Sequence, residues 1–145
     1  MRVFVAGASG AIGTRLVAHL IEQGHEVIGT FRTAGHADRI RALGAEPVAL
    51  DLLDAPAVRE AVLQARPDAI VHQATALTGV RCGRSLDRSF AATNRLRTEG
   101  TDALLAAARE AGVRRFVAQS FASSSMCSSP KWLNCPYFVK KTNRV

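Results

Sequence analysis

The sequence has few cysteines and aromatic residues, and it lacks long apolar runs. Its three cysteines, Cys82, Cys127 and Cys135, are odd in number and show no C-x-x-C spacing, which argues against a disulfide framework and against a zinc site. No stretch reaches the ~20 apolar residues that a membrane span requires. The apolar run near the N-terminus is too short for a signal peptide. We therefore expect a cytoplasmic protein with neither a membrane partner nor a bound metal.

The charge of the chain is basic but does not follow the pattern of a nucleic-acid-binding protein. The formal net charge is +7, yet the arginines are scattered over predicted helix faces and loops, with no basic stripe interleaved with aromatic residues. A solvated surface explains such a distribution, so we expect no nucleic-acid partner. Hydrophobic residues make up 48% of the 145 residues and aromatic residues only 6%, which is typical of one α/β domain with an aliphatic core.

A glycine-rich stretch at residues 7–13 follows the apolar run 3–6 and precedes a helical pattern, so it predicts a strand, a tight turn and a helix. Its spacing is G-x-x-G-x-x-G rather than the G-x-G-x-x-G fingerprint. Glycines let a phosphate approach the backbone, and a helix N-terminus attracts an anion. We predict that Gly7, Ser9, Gly10, Ala11 and Ile12 hold the pyrophosphate of a dinucleotide. A turn that binds nothing is the alternative.

Apolar runs and helical patterns alternate along residues 1–122. The predicted strands are 3–6, 26–30, 46–50, 68–72 and 115–119, and the predicted helices are 11–23, 37–43, 55–65 and about 91–111. This alternation predicts a Rossmann-like, doubly wound α/β fold with a parallel sheet in the order 3-2-1-4-5. A dinucleotide would lie across the switch between strands 1 and 4.

Two of the predicted helices carry an apolar face. The first helix has an apolar face at three-and-four spacing that includes Ile12, Leu16 and Val17, and the last helix presents Leu96 and Leu104. We expect the apolar face of the last helix to lie against the sheet.

The end of the second strand bears on the choice of cofactor. An acidic residue there accepts a hydrogen bond from the 2′-hydroxyl of NAD, whereas an arginine accommodates the 2′-phosphate of NADP. This sequence has Thr30, Phe31 and Arg32 and no carboxylate before Asp38. We therefore predict NADP as the cofactor, with Arg32 as the phosphate partner and NAD as the alternative. A plain surface role for Arg32 stays open.

Residues after strands 3 and 4 complete the predicted site. Asp51 lies just past strand 3, where open α/β sheets place ligand contacts, and its carboxylate can accept a hydrogen bond from an adenine amino group. Asp54 is instead predicted to be the N-cap of the next helix. After strand 4, Gln73 and Ala74 begin a run that leaves room for the cofactor. We interpret His72 as a packed strand-end histidine rather than a catalytic base, because no partner carboxylate is apparent.

The sequence changes character after residue 122. Residues 123–130 form a polar low-complexity run, and all lysines lie beyond it. We expect residues 123–145 to be an irregular tail of foreign origin, through an altered reading frame, a fusion or a truncated gene. Tyr137 and Lys141 have a Tyr-x-x-x-Lys spacing that, on a helix, would let the tyrosine act as a general acid/base. Nearby prolines favour a chance occurrence, so both are weak catalytic candidates.

Residues 1–122 resemble the extended short-chain dehydrogenase/reductase family, in its NAD-dependent epimerase/dehydratase group. The matching motifs are Gly7-x-x-Gly10-x-x-Gly13, Asp51-Leu52, Ala74-Thr75-Ala76, Glu99-Gly100-Thr101 and Arg115-Phe116-Val117 with Ser120. The resemblance implies an NAD(P)-binding Rossmann domain over residues 1–122. In this domain Gly7, Gly10 and Ile12 would hold the pyrophosphate, Asp51 and Leu52 the adenine, and Ala74 the nicotinamide-side ribose. Ser120, which closes strand 5, joins this cofactor-binding set.

The sequence also departs from this family. Arg97 stands where the family usually has asparagine, and Phe121 follows Ser120 where a catalytic serine or threonine is common. The family's later strands and C-terminal substrate-binding region are missing. We therefore expect a sheet that is incomplete on its C-terminal side and self-associates through strand 5.

The resemblance implies an oxidoreductase that acts on a small-molecule substrate, a sugar nucleotide or similar carbinol. If active, the protein would be an NAD(P)-dependent epimerase/dehydratase or reductase, with catalysis impaired by truncation. The alternative is a non-catalytic NADP-binding sensor or regulatory module, because fold alone does not decide between the two.

Overall fold

The computed structural model describes residues 1–33, 35–77 and 86–119, with the backbone alone for 86–89. Strands and helices alternate along this part of the chain. The strands are β1 (Arg2–Ala6), β2 (Glu26–Phe31), β3 (Glu46–Ala49), β4 (Ala69–His72) and β5 (Arg115–Ala118). The helices are α1 (Ala11–Glu22), α2 (Ala37–Ala42), α3 (Ala55–Ala65), α4 (Leu86–Arg95) and α5 (Thr101–Glu110), with a π-helical turn (Leu96–Gly100) joining the last two.

The strands form one parallel sheet in the order β3-β2-β1-β4-β5, which confirms the predicted Rossmann-like topology. In the central strand, Val5 pairs with Gly29 of β2 on one side and with Val71 of β4 on the other. The chain leaves β1 and β4 toward opposite faces of the sheet, so a crevice forms where their carboxyl ends meet. The glycine turn after β1 and the residues after β4 both border this crevice.

Alternating side chains of the strands fill a hydrophobic cluster on each face of the sheet. Phe4 and Ile70 pack with Val58, Val62 and Leu104 from α3 and α5. On the opposite face, a second cluster contains buried residues of β1, β2, α1 and α2, which are Val3, Val5, Val27, Val17 and Ile40. Because successive strand residues point to opposite faces, a strand buried on both sides is apolar on both, as β1 is from Val3 to Ala6.

Several predicted helix boundaries are confirmed. Asp54 caps α3, because its Oδ1 accepts a hydrogen bond of 3.1 Å from the backbone N–H of Ala57. Gly24 follows α1 with a positive φ of 75°, and its N–H donates to the carbonyl of Ile21. Such a left-handed residue closes a helix at little cost only when it is glycine.

Ile12 is not packed, although it belongs to the predicted apolar face of α1. Its side chain is 54% exposed, whereas Val17 is fully buried. Ile12 lies in the first turn of α1, at the carboxyl edge of the sheet, and is outside the cluster of described residues that contains Val17. The three-and-four spacing identifies the apolar face of a helix, but it does not show which residues of that face contact the sheet.

The last predicted helix differs from expectation in its start and in its interior. It begins at Leu86 rather than near residue 91, and its middle is the π turn Leu96–Gly100. Gly100 is buried there, and a Cβ added to it would lie 3.4 Å from the Cβ of Leu52. A π turn inside an α-helix often accompanies a functional site.

The edge strand β5 is covered unequally on its two faces. Phe116 packs against the cluster formed with α3 and α5. Val117 points to the other face, is 55% exposed and is not part of the cluster around α1.

In the described ranges, no helix combines the length and the hydropathy needed to cross a membrane.

Candidate functional site

The glycine turn owes its shape to close contacts that exclude side chains. Gly7 has a φ of +89°, and a Cβ on it would lie 2.6 Å from both the N and the Cα of Ala74. A Cβ on Gly13 would lie 2.2 Å from the carbonyl oxygen of Gly7. Gly10 is different, because it is exposed and its nearest neighbour would be that same oxygen at 3.4 Å. Two glycines are thus required by packing, while the third keeps space open above the turn.

Hydrogen bonds fix the turn and leave the first amides of α1 available. The N–H of Gly7 donates to Oγ1 of the buried Thr30 (3.1 Å), and the N–H of Ala8 donates to the Thr30 carbonyl (3.0 Å). Among the described residues, no side chain caps α1 at Gly10. Within the part of the chain that the structure describes, no hydrogen bond uses the N–H groups of Ala11 or Ile12. Unpaired amides at a helix start, beside an open glycine, fit the pyrophosphate of a dinucleotide.

The residues predicted to contact the adenosine lie at the adjacent ends of β2 and β3. The N–H of Leu50 donates to the carbonyl of Phe31 (2.9 Å), which brings the segments carrying Arg32 and Asp51 together. Both side chains are exposed. Oδ1 of Asp51 accepts from the N–H of Leu53 (3.0 Å).

Leu52 does not present its side chain to this edge. It is only 4% exposed and belongs to the cluster that α3 and α5 form with the sheet. A contact between Leu52 and an adenine would therefore be made by its backbone alone. Ser9, in the turn, is half-buried.

Residues 73–76, after β4, form the opposite wall of the crevice. The N–H of Gln73 donates to the carbonyl of Ala6 (2.8 Å), which continues the β1–β4 pairing by one residue. Ala74 is the residue against which Gly7 packs. The N–H of Ala76 donates to Oγ1 of Thr93 on α4 (3.0 Å). The amide oxygen Oε1 of Gln73 is buried and has no hydrogen-bond partner among the residues that the structure describes.

His72 is buried at the end of β4, as a packed strand-end histidine should be. Its Nε2 lies 3.1 Å from the carbonyl oxygen of Leu96 in the π turn, and its Nδ1 accepts from the N–H of Ala74 (3.3 Å). These bonds require a neutral ring protonated on Nε2. Burial lowers the pKa of His72; the Leu96 hydrogen bond opposes this, and the nearby Arg97 cation lowers the pKa further. The ring therefore supports its neighbours rather than exchanging protons.

Arg97 occupies the π turn beside this histidine. Its side chain is half-buried, and that burial lowers the pKa of Arg97.

Among the described residues there is no cluster of three or more histidine, cysteine, aspartate or glutamate side chains able to hold a metal ion. Ser120, Tyr137 and Lys141 lie outside the described residues.

Sequence reasoning missed Thr30 and Thr93, which both use a buried hydroxyl to hold a backbone amide of the site. A threonine in a strand suggests only β-propensity, and one in a helix suggests little at all. The missing signal is tertiary, since the partners are 23 and 17 residues away.

The fold and this crevice together define a dinucleotide-binding domain of the Rossmann type. A family model, the NAD dependent epimerase/dehydratase family, matches residues 3–131. The chain belongs to this family, which confirms the resemblance seen in its motifs.

Relatives of this chain include reductases and epimerases. A 3-diazoavenalumate denitrifying reductase from Streptomyces sp is 47% identical, over 96% of this chain and 44% of its own length. A 4-hydroxy-2-methyl-3-oxo-4-farnesyl-3,4-dihydroquinoline-1-oxide ketoreductase from Stigmatella aurantiaca is 37% identical, over 81% of this chain and 32% of its own length. A solved structure, UDP-glucose-4-epimerase from Stenotrophomonas maltophila with bound NAD and formylated UDP-arabinopyranose, is 29% identical with a TM-score of 0.66, over 84% of this chain and 37% of that one.

These matches also bear on the extent of the chain. It spans less than half the length of each of these relatives. The match to the denitrifying reductase covers more of the chain than residues 1–122 supply, so it extends into residues 123–145. That extension counts against a foreign origin for the tail.

Proposed function

We propose that this chain binds a nicotinamide dinucleotide across the crevice between β1 and β4, as the cofactor-binding part of an oxidoreductase. One observation carries the proposal. Gly7 is pressed against Ala74 by a contact that only glycine permits, while the amides of Ala11 and Ile12 stay available next to the open Gly10. Available amides beside an exposed glycine, at the positive end of α1, suit a phosphate group.

Reduction of a carbonyl or a comparable electrophilic group is the reaction that we favour. The two curated relatives with 47% and 37% identity are, by name, a reductase and a ketoreductase, whereas the named epimerase structure is 29% identical. A reduced nicotinamide supplies the hydride in such reactions. The described residues of this chain bind and orient the cofactor. A sugar nucleotide or similar carbinol is the alternative substrate class.

NADP is the cofactor that we propose, because of the residue after β2. Arg32 is exposed at the carboxyl edge, and no acidic side chain stands between it and Thr30 to accept from a ribose 2′-hydroxyl. A guanidinium there suits a 2′-phosphate. The epimerase structure named above holds NAD, which makes NAD the competing expectation.

Ligand-dependent thermal unfolding of the 145-residue chain tests the cofactor proposal. A ligand at 100 times its Kd adds about 2.7 kcal/mol to the free energy of unfolding, so NADP should raise the Tm by several degrees and NAD by less. The Gly10→Ala variant should keep the Tm of the unliganded protein, because its φ of −73° suits alanine. It should lose most of the NADP response, since the new methyl group occupies the phosphate space.

An unchanged Tm with both cofactors would contradict the proposal. Turnover assays with NADPH and simple ketones then separate the two functional classes. Oxidation of NADPH that depends on the ketone supports the reductase. Binding without turnover is the result expected of a non-catalytic sensor or regulatory module.

A further inference from the structure

Residues 73–76 are held by side chains as well as by the sheet. The N–H of Ala74 donates to Nδ1 of His72, at 3.3 Å, and the N–H of Ala76 donates to Oγ1 of Thr93, at 3.0 Å. Thr93 is 1% exposed and His72 is 4% exposed, so both acceptors are shielded from water. Hydrogen bonds of this kind are costly to leave unmade, because a buried N–H without a partner loses its hydration.

The two acceptors are themselves fixed to the long helix that follows. Thr93 is part of α4, and Nε2 of His72 donates to the carbonyl of Leu96 in the π turn. The position of residues 73–76 is therefore set by one helix at two points, Thr93 and Leu96.

The location of this segment decides the shape of the cofactor crevice. Ala74 lies where a Cβ on Gly7 would be 2.6 Å away, so the segment and the glycine turn are in direct contact. A shift of Ala74 by one or two ångströms would either obstruct the turn or widen the crevice. The bonds from His72 and Thr93 work against both displacements.

We propose that Thr93 and His72 are positioning residues for the dinucleotide, because they hold residues 73–76 in the place that keeps the crevice open beside Gly7. This inference rests on the proposed cofactor function. Neither side chain needs to touch the cofactor. When the segment adopts the binding geometry in only a fraction of molecules, the apparent Kd rises by the inverse of that fraction.

Three threonine variants of the full chain test the role of the hydroxyl group. Thr93→Val keeps the branched shape but removes the acceptor, and it should weaken NADP binding about tenfold by calorimetric titration. Thr93→Ser restores the acceptor and should bind NADP within about twofold of the unsubstituted chain. Thr98→Val is the matched control, because its hydroxyl is exposed and donates only to the carbonyls of its own helix turn.

A loss of thermal stability in Thr93→Val together with unchanged NADP affinity would overturn the inference, because it would show a merely structural role. Exchange of the Ala76 amide hydrogen, followed by NMR without ligand, gives a second readout. We expect this amide to be protected in the unsubstituted chain and to exchange about tenfold faster in Thr93→Val alone. Exchange at the unprotected rate in the unsubstituted chain would also overturn the inference.

The same samples distinguish failure of this inference from failure of the proposed function. If the unsubstituted chain binds neither NADP nor NAD, the proposed function fails and the positioning role for a cofactor fails with it. If it binds and Thr93→Val binds equally well, only the inference fails.

Discussion

The two halves of the candidate site are built in different ways. The half predicted to hold the adenosine and pyrophosphate is formed by exposed groups on short turns, namely Gly10, Arg32 and Asp51. The half after β4 is formed by residues 73–76, whose backbone is held by the buried side chains of Thr93 and His72. In both halves a buried threonine hydroxyl holds a backbone amide, but only the first half also exposes a charged pair of side chains, Arg32 and Asp51, for direct contact. Substitutions should therefore affect affinity directly in the first half and indirectly in the second.

Gly7→Ala should have the largest effect, because Gly7 is where the two halves meet. The new Cβ would clash with the backbone of Ala74 and would also impose an unfavourable φ, at a combined cost of about 3 kcal/mol in the free energy of unfolding. Gly24→Ala is the control, since it shares the positive φ but has no atom within 4 Å of the added Cβ. It should cost only about 1 kcal/mol. Urea unfolding measures both values, and equal losses would contradict the contact.

Thr30→Val should come next and tests the first half. It leaves the N–H of Gly7 without the Oγ1 acceptor, which should lower the free energy of unfolding by about 2 kcal/mol. Thr30→Ser keeps an acceptor and should recover most of this loss. If Thr30→Val and Thr30→Ser have the same free energy of unfolding in urea, the hydroxyl of Thr30 does not hold the turn.

Arg32→Ala should have a smaller and more selective effect. Losing one charge-assisted contact to a 2′-phosphate should weaken NADP binding about tenfold and leave NAD binding unchanged. Arg114→Ala is the control, because Arg114 is also exposed but lies before β5, at the opposite edge of the sheet. Calorimetric titration with both cofactors measures the ratio. An equal change for NADP and NAD would assign Arg32 to the general surface.

The smallest expected effect is a dependence of stability on pH that arises in the second half. Burial lowers the pKa of His72 below its ordinary value of 6.5. The unfolded chain therefore takes up this proton before the folded chain does as the pH falls. The contribution to stability is complete above about pH 6.5 and is lost progressively below it, down to the folded pKa.

Urea unfolding between pH 5 and 8 checks this dependence, with His72→Gln as the variant that should show a flatter profile. The charged neighbour that bears on this ring is Arg97, whose cation also opposes protonation of His72. If the free energy of unfolding depends on pH as steeply in His72→Gln as in the unsubstituted chain, other titratable groups cause the dependence.

The sequence predicted those parts of the molecule that depend on local pattern. The strand order, the turn at residues 7–13 and the cap at Asp54 all follow from period, glycine placement and capping chemistry over a few residues. These signals are local, so each could be interpreted without knowledge of the fold.

Features set by distant contacts could not be predicted in the same way. The bond between Thr93 and Ala76 joins residues 17 apart in sequence, and helical periodicity does not reveal the π turn that supports His72. The exposure of Ile12 depends on which part of α1 packs against the sheet. In each case the deciding partner belongs to another element, and its distance is known only once the chain has folded.

One face of β5 is packed and the other is exposed, and this difference affects how binding and unfolding of this protein should be measured. Val117 is exposed on β5, which is the last strand of the sheet among the described residues, while Phe116 on the other face is packed. We expect such an edge strand to pair with the same strand of a second copy as the protein concentration rises. Affinity and melting measurements should therefore be repeated across a dilution series, so that pairing between copies is separated from the response to a cofactor.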